Sequence, residues 1–135
     1  MPLDPAPLHA PVPPVQQLGL ARAAVGVVLL VRPGLLPGLL GVDRAAVTAT
    51  GWTHQMLGAR EVAVGLGSVV ALRSGSPDAS RVWVLGGLLC DAVDVVAVTA
   101  AVVRRRVARG PGLALVAAAV AAVAVQAVEL RRVPR

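Results

Sequence analysis

The stretch Val82–Val103, VWVLGGLLCDAVDVVAVTAAVV, decides the fold. It reads as a membrane-spanning helix that carries two acids, Asp91 and Asp94. Its eleven Val and Leu residues contribute about −0.5 kcal/mol each to insertion, or about −5 to −6 kcal/mol together. Two aspartates at the centre of a span cost about +3 kcal/mol each and cancel that gain. Such a helix cannot stand alone in lipid with both carboxylates exposed. It needs neighbours that face the acids.

The neighbours are legible on both sides. Upstream, Arg73–Arg81 (RSGSPDASR) reads as a polar turn, and Ala46–Leu72 as a second apolar run. Its centre holds Arg60 and Glu61, and its first half holds His54. Further upstream, Val15–Val31 forms a first run that Pro33 and Gly34 end. At about 1.5 Å per residue it reaches about 26 Å, just enough to span. Between these two runs, Gly34–Arg44 (GLLPGLLGVDR) is broken by Pro37, Gly38 and Gly41. It reads as an interfacial turn or re-entrant loop rather than a helix. Downstream come Arg104, Arg105, Arg106 and Arg109, a Gly110-Pro111-Gly112 turn, and a fourth run, Leu113–Leu130. The proline-dense residues 1–14 lack a basic leader region and read as a flexible tail. The expected architecture is all-α, a four-helix transmembrane bundle with spans at about 15–31, 46–72, 82–103 and 113–130.

Composition agrees. Of 135 residues, 56% are hydrophobic and 15% charged, where globular domains carry about 25% charged residues. Mean hydropathy is +0.76. The expected location is the cell's inner (plasma) membrane, crossed several times, with the lipid bilayer as first partner. The net charge of +6 raises nucleic acid as a partner, but the arginines cap the apolar runs and form no long basic arm. With two tryptophans and neither Phe nor Tyr, there is no base-stacking platform. No nucleic-acid partner is expected. The single cysteine, Cys90, excludes an intrachain disulfide and a CxxC pair. His9 and His54 have no metal-ligand spacing, so neither a metal nor a cofactor is expected.

Four spans place both termini on one side. Six arginines (Arg32, Arg44, Arg104, Arg105, Arg106, Arg109) then flank one membrane face and five (Arg73, Arg81, Arg131, Arg132, Arg135) the other. The totals do not orient the chain. The dense Arg104–Arg109 cluster favours a cytoplasmic position for its loop.

The informative residues are the ionisable ones inside the spans, which are costly there and face a bundle interior. Asp91 and Asp94 share a helical face with Gly87. His54 and Glu61 lie two turns apart on one stripe, beside Gly58, Gly65 and Ser68, and Arg60 points to the adjoining face. Glycines there would let another helix approach closely. Arg22, Arg60, Glu61, Asp91 and Asp94 form a candidate ion-pair network. Two pairings would pin three helices: Arg60 with Asp91 or Asp94, and Arg22 with Glu61. The candidate catalytic residues are Glu61, Asp91 and Asp94, with His54 as a shuttle.

At Leu57–Leu72 and Arg81–Val98 the chain resembles small four-helix bacterial membrane proteins common in actinobacteria. Their recurring elements are G-x-R-[DE] in the second span, here Gly58, Arg60 and Glu61, and D-x-x-D in the third, here Asp91 and Asp94. The resemblance implies a four-helix membrane fold and brings no activity with it.

Three functions fit this reading. The first is a structural or accessory membrane protein, locked by the Arg/carboxylate network and acting on another copy or another membrane protein. The small-residue stripe Ala114, Ala118 and Ala122 supports it. The second is a small membrane enzyme using a protonated carboxyl as general acid on an apolar substrate. The third is a proton-coupled small-molecule transporter. A cavity at Asp91–Asp94 would favour the last two, and sealing by arginine the first.

Overall fold

The computed structural model describes residues 12–133, and among these the regular structure is entirely helical. The helices are α1 (Pro14–Val31), α2 (Leu35–Leu39), α3 (Arg44–Ala49), α4 (Gly51–Ser74), α5 (Pro77–Val103) and α6 (Arg109–Arg132). Residues 1–11 of the proline-dense tail lie outside the described range. The four long helices, α1, α4, α5 and α6, are each long and apolar enough to cross a membrane. They form a four-helix bundle.

Local chemistry sets the boundaries, and several differ from those expected. The polar run Arg73–Arg81 contributes only two residues to its turn. Gly75 takes the left-handed conformation that ends α4, with φ of 70°. The Ser76 hydroxyl accepts from the Ala79 amide at 3.3 Å, and Pro77 opens α5. So α5 starts five residues before Val82, and Arg73 and Arg81 lie inside helices. The Gly110-Pro111-Gly112 segment likewise belongs to the first turn of α6, where a proline removes no intrahelical bond.

The second run is not one helix. Asp43 caps the short α3 through the amides of Ala45 and Ala46. The chain then breaks at Thr50, whose hydroxyl donates back to the Ala46 carbonyl at 2.8 Å. Thr53 donates likewise to the Thr50 carbonyl at 2.6 Å. Hydroxyls that compete for backbone acceptors, followed by Gly51, account for the interruption. Gly34–Arg44, expected as a non-helical turn, instead contains α2. Pro37 sits in the first turn of α2, where backbone amides have no intrahelical acceptor to lose.

Helix packing follows chain order. α1 packs most extensively on α4, α5 packs on α6 and on α4, and α6 touches α1 only lightly. The buried positions Val15, Gly19, Arg22, Gly26 and Leu29 of α1 step by four and three residues, the spacing of an interhelical seam. On α4 the facing glycines are Gly58 and Gly65. A methyl group at Gly26 would meet the Gly58 carbonyl oxygen at 2.5 Å, and one at Gly58 would meet the Gly26 carbonyl oxygen at 2.7 Å. One at Gly19 would lie 2.9 Å from the Gly65 carbonyl oxygen. The two helices therefore touch backbone to backbone at two crossings, with Arg22 and Glu61 between them. The turn after α5 is tied to the end of α2 by the Ala108 amide, which donates to the Leu40 carbonyl at 2.9 Å.

The interior is small and partly polar, whereas the outside is apolar. Leu29 and Val84 are fully buried, alongside the polar Arg22, Ser68, Ser80, Asp91 and Gln126. Large apolar side chains such as Val27, Val70, Val82, Val96 and Val120 face outward. Water would disfavour that distribution, whereas lipid accepts it. The bundle is compatible with a small integral membrane protein.

Candidate functional site

The site lies where the middles of α1, α4 and α5 meet. Burying a charge is tolerable only with a partner and hydrogen bonds, and each charged group here has one. Arg22, from the seam of α1, reaches two helices. Its Nη1 donates to Asp91 Oδ2 at 2.6 Å, and its Nη2 donates to Glu61 Oε1 at 3.1 Å. Its Nε lies 3.0 Å from Glu61 Oε2, an ion-pair contact without hydrogen-bond alignment. Arg60 donates from Nη2 to Glu61 Oε1 at 3.0 Å and to Asp94 Oδ2 at 2.7 Å. The result is one continuous chain of contacts, Asp91–Arg22–Glu61–Arg60–Asp94. With every group ionised, three carboxylates face two guanidiniums, and the cluster carries one net negative charge.

The fourth long helix joins through an amide. Gln126 Nε2 donates to Asp91 Oδ2 and, at 3.1 Å, to the carbonyl of Ala122 in its own helix. Its Oε1 lies over Gly87, in the space a methyl group there would need. Gly87 thus admits the glutamine that holds Asp91. Gln126 was not among the expected site residues. One signal pointed to it: it is the single polar side chain between Leu113 and Val128.

Burial divides the cluster. Arg22 and Asp91 are both 7% exposed. The Arg60 and Asp94 side chains are 33% and 34% exposed. The structure therefore brings together Arg22, Arg60, Glu61, Asp91 and Asp94, with Arg22 bridging Glu61 and Asp91. His54 stays outside the contact chain. It sits two turns before Glu61, about 10 Å along the helix axis, and its Nδ1 is buried with no hydrogen-bond partner among the described residues. Trp83 lays its ring against Gly67 of α4. Among the described residues, no group of three His, Cys, Asp or Glu side chains is placed to hold a metal ion.

One side of the cluster borders a cavity of about 240 Å³. Arg22, Glu61, Asp91 and Asp94 form its polar end, and Leu18, Val25, Leu29, Leu115 and Ala118 are among its apolar walls. Arg60 does not line it. Val25 and Ala118 also lie exposed on the outside of the bundle, so the cavity opens between α1 and α6, the pair that touches lightly. This arrangement sets three carboxylates at the edge of an apolar cavity that opens to the side.

No family model matches the chain, and comparison with curated proteins and with solved structures found no similar chain.

Proposed function

We infer that this is a small integral membrane protein with a structural or accessory role, whose intramembrane Arg/carboxylate network fixes the positions of its helices. The observation that carries this reading is the unbroken contact chain from Asp91 to Asp94, to which α1, α4 and α5 each contribute charge and α6 an amide. Side chains committed to each other in this way hold helices in register. Helices with outward apolar faces and a fixed register make a rigid body that another membrane protein, or a second copy, can pack against.

The test separates pinning from chemistry. Asp94→Leu leaves Arg60 with Glu61 as its remaining partner. It should lower stability in detergent by about 2 kcal/mol, a discount on the larger cost of breaking a fully buried pair. Adding Arg60→Met should recover most of that loss, because an apolar pair of similar volume replaces the ionic one. Trp83 fluorescence follows the transition, since its ring rests on α4. Native-like melting of Asp94→Leu would refute the reading.

A second reading, a membrane enzyme or proton-coupled transporter, is favoured by one observation, the cavity at Asp91 and Asp94.

A further inference from the structure

We propose that the cavity between α1 and α6 is a binding site for a lipid-phase primary amine, a molecule with an apolar body and a single ammonium head. Three observations carry this, and they go beyond a structural role. The first is the cavity's shape. It has a polar end at the middle of the helices and apolar walls leading outward between α1 and α6. At about 240 Å³ it is smaller than the pockets that enclose whole drug-sized ligands, about 300–1,000 Å³. It fits a head and the first carbons of a chain whose remainder stays in lipid.

The second is charge. The cavity end is formed by three carboxylates and one guanidinium, because Arg60 is not part of its lining. With every group ionised the whole cluster carries one net negative charge, and one ammonium brings the sum to zero. Uncompensated charge at this depth is costly, so a monovalent cation is favoured over a neutral or anionic molecule.

The third is the hydrogen-bond inventory. The contacts to Asp91 and Asp94 each end on Oδ2. Both carboxylates belong to the cavity lining, so each has Oδ1 as a further acceptor. An ammonium with N–H groups uses such acceptors, whereas a quaternary ammonium has none to donate. Quaternary heads are recognised by aromatic faces, and the chain has two tryptophans and neither Phe nor Tyr. Neither tryptophan lines the cavity. The site therefore selects primary amines over quaternary ones.

The experiment uses the full chain in nanodiscs of zwitterionic lipid near pH 7, with bound probe counted by native mass spectrometry. The probes are dodecylamine, dodecyltrimethylammonium and dodecan-1-ol. The expected result is one bound dodecylamine, held at least about tenfold more tightly than either of the others. Ala118→Leu fills the cavity from α6 without touching the charged chain, and should weaken amine binding at least about tenfold while the protein stays folded. Equal binding of the alcohol would overturn the proposal by showing a merely apolar cleft. Equal binding of the quaternary amine would overturn the hydrogen-bond argument. Absence of binding, or amine binding unaffected by Ala118→Leu, would refute the site itself.

Discussion

Asp91 and Asp94 are one helical turn apart, yet their surroundings differ. Asp91 is held by Arg22 and Gln126, and its guanidinium partner is as buried as it is. Asp94 meets Arg60 where both side chains are about one third exposed. Removing one partner of a buried pair is costly because the other charge stays behind uncompensated. Asp91→Asn should therefore destabilise the protein by about 3 kcal/mol, and Asp94→Asn by about 1 kcal/mol. Chemical unfolding in mixed micelles, followed by Trp83 fluorescence, gives both values. The reverse order would mean that the Arg60 end bears the main stabilisation. Sequence pattern alone identified the charged participants at this scale, because ionisable groups within apolar runs have nowhere else to go. It also paired Arg22 with Glu61 and Arg60 with one of the two aspartates, and both contacts are present. It did not foresee that Arg22 also reaches Asp91, which depends on helix order and crossing points, and Gln126 looks like one more polar residue near a helix end.

At the scale of the element, the α1–α4 seam turns on glycines as much as on charge. At Gly26 an added methyl group would run into the backbone of Gly58, and backbone cannot swing aside as a side chain can. Gly26→Ala should push the helices apart and stretch the Arg22–Glu61 contact one turn away. The overpacking alone costs about 1–3 kcal/mol. Gly86 lies on the same kind of apolar helix, but a methyl group there meets nothing within 4 Å. Gly86→Ala should be neutral or slightly stabilising, since alanine is the better helix former. A thermal melt of the two variants side by side checks this, and equal losses would contradict the seam. The stripe Gly58–Gly65 was visible in the sequence. Its complement, Gly19 and Gly26, was hidden in a run that reads as featureless apolar helix. Helix ends were the least legible elements. Capping by Ser76 and Pro77, and proline tolerance in first turns, let helices extend into segments whose polarity reads as loop.

At the scale of the whole molecule, the ends of the bundle differ in how their arginines are gathered. Arg32, Arg44, Arg104, Arg105, Arg106 and Arg109 lie at the end formed by α2, α3 and the turn after α5. The hydrogen bond from Ala108 to Leu40 joins those two connections into one surface. At the opposite end, the described arginines are Arg73, Arg81, Arg131 and Arg132. Six against four is a modest bias, but positive-inside orientation weighs short loops close to the span ends. Arg104–Arg106 follow the last turn of α5 directly, and Arg105 has a positive φ of 56°. Anionic headgroups at the cytoplasmic leaflet attract such a cluster by about 1 kcal/mol per arginine. The α2–α3 end should therefore face the cytoplasm and the Gly75–Ser76 turn the outside. With Cys90→Ala removing the one native thiol, single cysteines at Ser76 and Arg106 report the two ends. A membrane-impermeant maleimide on intact cells should label Ser76→Cys readily and Arg106→Cys only after lysis. The opposite labelling would invert the topology. Labelling of both in intact cells would mean that the arginine surface does not set one orientation, and that copies insert in both directions.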